Sequence, residues 1–260
     1  MNTQEALDTL GVTNRTLSDS QKKQLDDEGY LIFESVFSPE QLNQVSVRLD
    51  QLYKEEVNAG SELTHENGCE RLANLYNKGV IFEKCCTYPP LLAAVSHILK
   101  SEFHTNSLNF RNPKPGYGIQ RMHPDLTPEQ WSRHKQTSKP GEFARVNSLW
   151  LIDPFTGENG STRIVPRSHL WDEHPSNAMP NHYSRHPDET ILVLPAGTVV
   201  AFNAHLWHGG TTNISGESRR ALHASFIRRD YDQQLVENDH ILPETHQRLS
   251  PAVRFLLNIN

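Results

Sequence analysis

His123-Pro124-Asp125 places an imidazole and a carboxylate two residues apart, and His208 supplies a second imidazole much later in the chain. On extended backbone, side chains two residues apart point to the same side. A distant histidine can then complete a three-ligand face on one metal ion and leave the opposite positions open. Two histidines and one carboxylate with vacant positions form the ligand set of non-heme Fe(II) oxygenases. In that set Asp125 is ionised while His123 and His208 are neutral. His208 lies in Leu206-Trp207-His208-Gly209-Gly210, and Arg219 follows it by eleven residues. An arginine aimed into a β-sandwich needs an anionic partner. A dicarboxylate co-substrate would supply one through two parallel hydrogen bonds. Arg220 must face the other way on a strand, so only one of the pair can serve. The plain alternative puts both on a surface turn with Ser215-Gly216-Glu217 at its tip.

Other chemistry finds less support. With 14 histidines in the chain, a chance His-x-Asp is common, so its context matters. His205 lies three residues before His208, a spacing at which a strand or loop aims the two differently, and alternation puts His223 on the same side as Arg219. His104, His134, His169 and His182 read as loop or surface residues. Cys69, Cys85 and Cys86 lack a Cys-x-x-Cys spacing, which argues against zinc. They read as reduced thiols of a cytoplasmic protein. There is no Gly-x-Ser-x-Gly elbow and no glycine-rich phosphate loop; Gly157-Glu158-Asn159-Gly160-Ser161 makes a turn. A net charge of −6 and a pI near 6.1 lack the basic excess that nucleic-acid binding needs. Apolar runs such as Ile191-Leu192-Val193-Leu194 are far too short to span a bilayer. The first ten residues have no signal-peptide pattern. The expected partner is a small molecule, with neither nucleic acid nor membrane; oligomeric state leaves no mark in the sequence.

The elements that must position these residues follow from periodicity and punctuation. Ser18-Asp19-Ser20-Gln21 caps a short helix that ends at Gly29, and Tyr30-Leu31-Ile32-Phe33 follows as a buried strand. Ser38 as N-cap, Pro39 in the first turn and Gln41 as capping-box partner open a second helix. Leu42, Val45, Leu49 and Leu52 form its buried stripe, and Ala59-Gly60 its end. A third helix is expected over 90–100, with Leu91, Leu92, Val95, Ile98 and Leu99 inward. Thereafter short apolar segments alternate with turn residues, at 107–110, 118–122, 146–152, 161–165, 189–194, 198–202 and 219–226. That pattern predicts a sandwich or barrel, so the chain is α+β with its chemistry in the β part. The polar stretch 126–145, directly after Asp125, is expected to be an irregular lid on which Trp131, Arg133 and Lys135 could meet substrate. A second such loop spans 174–186. Leu149, Trp150 and Leu151 are expected on a strand beside the cavity.

With these residues in place, the chain resembles the phytanoyl-CoA dioxygenase family of Fe(II)/2-oxoglutarate-dependent oxygenases. Gly29-Tyr30-Leu31-Ile32, then Phe37-Ser38-Pro39-Glu40-Gln41-Leu42, is similar to the family's N-terminal strand and helix. Tyr88-Pro89-Pro90-Leu91-Leu92 is similar to its next helix start. The run from Asn159-Gly160-Ser161 to Pro166-Arg167-Ser168-His169 is similar to a segment usually ending Pro-Gly-Ser-His. Trp207-His208, Asn213, Ser215 and Arg219-Arg220 are similar to its C-terminal signature. The resemblance implies a double-stranded β-helix, a jelly-roll or cupin-like core with flanking N-terminal helices. It implies one domain over 1–260, with helices across about 18–100 and the β core across about 105–230. It assigns His123, Asp125 and His208 to iron and Arg219 to the distal carboxylate of 2-oxoglutarate, with O2 as the oxidant. The implied reaction is C–H hydroxylation of a small metabolite with release of succinate and CO2. Retention of Asp125 favours hydroxylation, since halogenating relatives tend to lack this carboxylate. Desaturation, epoxidation or rearrangement on the same scaffold, and a catalytically silent metal-binding sensor, are the alternatives. Pro124 departs from the family's usual glutamine and Arg167 from its usual glycine.

Overall fold

The structure is a computed structural model describing residues 1–59, 65–139 and 141–259. Ten strands are found among them: β1 (Tyr30–Phe33), β2 (His65–Glu66), β3 (Cys69–Leu72), β4 (Phe103–Pro113), β5 (Arg145–Leu151), β6 (Thr162–Val165), β7 (Thr190–Ile191), β8 (Val199–Asn203), β9 (Trp207–Gly210) and β10 (Ala221–Arg228). Seven form one antiparallel sheet in the order β1-β8-β5-β10-β4-β3-β2, and three form a facing sheet in the order β7-β6-β9. Two opposed antiparallel sheets make the sandwich that the strand pattern predicts and the double-stranded β-helix that the family resemblance implies.

Alternation along the large sheet separates two apolar layers. On its outer side Val146 and Trp150 of β5, Leu222, Ala224 and Phe226 of β10, and Val199 and Ala201 of β8 face the helices. The helix Pro39–Asn58 presents Val45, Leu49 and Leu52 to this layer, and Pro89–Leu99 presents Leu91, Leu92, Val95, Ile98 and Leu99. The Ser38 capping box with Gln41 is formed. Gly60, expected to end that helix, lies outside the described residues. On the inner side Leu149, Leu151, Val200, Phe202 and Ala221 meet Ile164 of β6 and the flanking residues Leu192, just after β7, and Leu206, just before β9. Trp150 therefore faces away from the cavity, packed 5.5 Å from Phe37 and 5.9 Å from Tyr88.

Several elements depart from expectation. The segment 118–122 is not a strand; it runs alongside β9 and pairs through an isolated bridge at His123. β10 begins at Ala221, so Arg219 and Arg220 precede it. The first half of the stretch 126–145 is not irregular. It holds the helix Pro128–Thr137, whose Thr127 N-cap and Gln130 form a capping box. This helix packs down, with Trp131 5.8 Å from the His205 ring, Lys135 bonded to Asp172 and Arg133 over the Tyr231 ring. Trp131 and Lys135 line a separate cavity of about 450 Å³ beside His205. Arg167 adopts φ +71°, a conformation that favours the glycine usual at this position in the family. Its guanidinium bonds Glu28 at 2.9 Å.

Glu237 is fully buried at the start of the short helix Glu237–His240, and neither carboxylate oxygen has a hydrogen-bond partner among the described residues. Burial raises its pKa to about 8. The folded protein then holds a proton that the unfolded chain releases near pH 4.5, so stability falls as pH rises from about 4.5 to about 8. Glu237→Gln should remove up to about 1.4 kcal/mol of that loss per pH unit. Urea unfolding of both proteins across this range checks it: a wild-type minus variant difference that stays flat with pH would contradict this.

Candidate metal centre and its cavity

His123 and His208 are joined by the backbone itself. The His123 N–H donates to the His208 carbonyl at 2.9 Å, and the His208 N–H donates back to the His123 carbonyl at 3.0 Å. Reciprocal bonds of this kind make two antiparallel residues direct cross-strand neighbours, with both side chains on one face. The imidazole centroids lie 4.6 Å apart. Asp125, two residues after His123, is tied by its N–H to the Ala204 carbonyl at 2.8 Å, and so returns to the same face. Gly209 and Gly210 follow His208 because the segment 118–121 presses on β9. A side-chain carbon on Gly210 would sit 2.3 Å from the Gly118 carbonyl oxygen.

One ligand atom from each of His123, Asp125 and His208 lies within 4.8 Å of the others. His123 Nε2 is 3.4 Å from Asp125 Oδ1, and His208 Nε2 is 3.4 Å from Asp125 Oδ2. A first-row metal roughly 2.1 Å from each donor would separate adjacent donors by roughly 3.0–3.4 Å, so the group fits one ion. Both Nδ1 atoms are spoken for. His123 Nδ1 donates to the Arg121 carbonyl at 2.7 Å and His208 Nδ1 to the Leu206 carbonyl at 2.8 Å. Such bonds fix the tautomer and leave both Nε2 lone pairs for the metal. The Asn147 side-chain amide donates to Asp125 Oδ2. Burial alone would raise the Asp125 pKa, but His208 and His123 outweigh it, and the carboxyl is held well below its usual range. His123 is shifted upward: burial opposes the shift, and the Asp125 carboxylate prevails.

These groups open on a cavity of about 250 Å³. Its floor is the inner face of the large sheet, where register brings Arg145, Asn147 and Leu149 of β5 beside Ala221, His223 and Ser225 of β10. His223 Nε2 lies 4.0 Å from Asp125 Oδ2, and burial lowers its pKa to about 4, keeping the ring neutral at neutral pH. Arg219 lies two residues before β10. It is 8 % exposed, and its pKa is pushed down to about 10 by burial, so it remains charged. The Arg219 Nε–H donates to the Gly160 carbonyl at 2.9 Å and its backbone N–H to Asn112 Oδ1 at 2.9 Å, while the guanidinium lies 4.8 Å over the Phe155 ring. No carboxylate among the described residues pairs with it. Arg220 points outward and is bound through two bonds of 2.9 Å to Asp153. The two arginines point in different directions, Arg219 into the cavity and Arg220 to Asp153.

Sequence reasoning missed several groups. Asn147 and Arg145 occupy inward positions of β5, signalled only by polar residues alternating with Val146 and Ser148. The turn at Gly160, taken as a plain connection, supplies the carbonyl that orients Arg219. His104, His134 and His169 are buried rather than on the surface. His134 stacks 4.5 Å from His205, away from the metal group.

A jelly-roll with an open two-histidine, one-carboxylate centre defines a class of cupin-like non-heme metal enzymes. The phytanoyl-CoA dioxygenase model matches residues 25–221, and the chain belongs to that family. Its enzyme class goes with the family: a 2-oxoglutarate-dependent dioxygenase. Among curated relatives, an uncharacterized protein of Mycobacterium bovis, Mb1539, is 28 % identical over 237 residues, covering 86 % of this chain and 80 % of its own length. Dioxygenase trt7 of Aspergillus terreus is 26 % identical over 223 residues, covering 82 % and 74 %. Among solved structures, HygX of Streptomyces hygroscopicus with nickel and 2-oxoglutarate bound superposes with a TM-score of 0.65 at 15 % identity, covering 84 % of this chain and 89 % of that one. At that identity the likeness is one of fold.

Asn147 holds Asp125 in place, so Asn147→Ala should weaken metal binding by about 10–100-fold with little change in fold. Calorimetric titration with Ni(II) measures this; unchanged affinity would contradict the assigned support.

Proposed function

We propose that this chain is an Fe(II)- and 2-oxoglutarate-dependent dioxygenase that hydroxylates a C–H bond of a small-molecule metabolite. Substrate, O2 and 2-oxoglutarate would give hydroxylated product, succinate and CO2. One observation carries the proposal: a buried Arg219 with no carboxylate partner among the described residues shares one cavity with a three-donor group able to hold a metal. His123 and His208 would hold iron through Nε2, and Asp125 would offset part of its charge while leaving the remaining positions open. Bound iron would supply the redox chemistry that couples loss of CO2 from 2-oxoglutarate to oxidation of the substrate. Arg219, aimed by Gly160, would grip the distal carboxylate of 2-oxoglutarate through two charge-assisted bonds. Leu149 and Phe202 would shield the reacting centre from water.

The whole chain is proposed to work as one domain over 1–260. Among the described residues no helix is long and apolar enough to cross a membrane. The odd cysteine count and the adjacent Cys85-Cys86 pair support a reducing, cytoplasmic setting.

The test is succinate formation from 2-oxoglutarate with Fe(II), ascorbate and O2 across candidate metabolites. His123→Ala and Asp125→Ala should reduce it to background, and Arg219→Ala should weaken 2-oxoglutarate binding about 100-fold (about 2.7 kcal/mol). Full activity in all three variants would misplace the site. Binding of 2-oxoglutarate without succinate under every condition would make the chain a silent sensor instead.

A further inference from the structure

Arg145 begins β5 and lines the same cavity as the metal group. It is largely buried, its Nε has no hydrogen-bond partner, and it forms no ion pair among the described residues. The carboxylate whose field reaches it is that of Asp125, which a bound metal would engage. A buried guanidinium without a counter-charge costs several kcal/mol, and an anionic ligand removes that cost.

Register shows where Arg145 stands. On the β5–β10 ladder Arg145 pairs with Ile227, Asn147 with Ser225, Leu149 with His223 and Leu151 with Ala221. Asp125 is bonded to Asn147 and lies 4.0 Å from His223, so the metal group sits over the middle of this ladder. Arg219 lies beyond the Leu151–Ala221 end, and Arg145 defines the opposite end, about 20 Å away along the strand. One 2-oxoglutarate chelating the metal and reaching Arg219 cannot also reach Arg145. With neutral imidazoles, the charges of Fe(II), Asp125, dianionic 2-oxoglutarate and Arg219 cancel. Arg71 and Arg111, which also line the cavity, are already engaged with other groups. Arg145 is then the cation left for the organic substrate.

We infer that Arg145 anchors an oxyanion of the substrate, on the side of the metal centre remote from Arg219, so that the substrate is a small organic acid. This rests on the oxygenase reading above. The acid would be held through two parallel hydrogen bonds, with the C–H bond to be oxidised lying between that anchor and the metal.

The test uses Ni(II)-loaded protein saturated with 2-oxoglutarate, so that Arg219 is already occupied. Straight-chain carboxylates and alkylphosphonates of four to eight carbons are titrated calorimetrically against their neutral amides or methyl esters. Wild type should bind at least one acid about tenfold more tightly than its neutral counterpart. Arg145→Leu should bring that ratio to about one while Ni(II) and 2-oxoglutarate affinities stay within about twofold, and Arg145→Lys should retain part of the preference. Three results would overturn the inference: no acid preferred by wild type, a preference unchanged in Arg145→Leu, or a loss of Ni(II) or 2-oxoglutarate affinity in that variant. The last would make Arg145 a support of Asp125 or of the co-substrate. Failure of the oxygenase reading shows separately, as wild type that binds no 2-oxoglutarate and forms no succinate, and the acid-to-amide ratio is still measured in that case.

Discussion

The pair of backbone hydrogen bonds between His123 and His208 is the constraint on which the rest of the site depends. Residues remote in sequence become direct cross-strand neighbours, and the pleat sends both imidazoles into the same space. Everything nearby serves that pairing. Gly209 and Gly210 let the 118–121 segment approach β9 closely. Buried Arg163 binds the Gln120, His182, Tyr183 and Ser184 carbonyls and pairs with Glu189, tying the 182–184 loop to the segment that carries His123. A slip of one residue in this pairing would turn one imidazole outward and leave a single histidine beside Asp125.

The cavity floor reverses the usual logic of a β-sandwich interior. Toward β1 and β8 the inner face is apolar, with Val200, Phe202, Leu149 and Leu151 packed on the smaller sheet. Toward β4 and β10 it carries Asn109, Arg111, His223 and Ser225, with Arg219 at the rim. Such a floor is expensive when empty, since buried cations are poorly compensated. It becomes favourable when metal and anionic ligands complete the charge balance, so the stability of this region is coupled to what it binds.

Much of this was legible in the sequence where a local rule and a packing rule agreed. The Ser38-Pro39-Gln41 cap and the Leu49 stripe specify their helix independently of the fold. The two-residue spacing of His123 and Asp125 anticipates a shared face, and the opposite facing of Arg219 and Arg220 holds although neither lies within a strand. The helix Pro128–Thr137 was missed although Thr127-Pro128-Glu129-Gln130 is a readable cap, because polar composition weighed against it. Leu149 and Trp150 could not be assigned to faces from an unbroken apolar run, since facing is set by register with β8 and β10. Asn147 and Arg145 carry no motif at all, and the Asn159-Gly160 motif does not reveal that the Gly160 carbonyl meets Arg219. Their part in the site comes from pairings between distant strands, which a single sequence does not display.

Everything functional here assumes that His123, Asp125 and His208 converge on a single metal ion. Anomalous diffraction at the iron edge, from crystals loaded with Fe(II) under anaerobic conditions, tests that most directly. One peak within about 2.2 Å of His123 Nε2, His208 Nε2 and an Asp125 oxygen is the expected result. A peak elsewhere, such as beside His134 and His205, or no ordered iron in protein loaded to saturation, would contradict it.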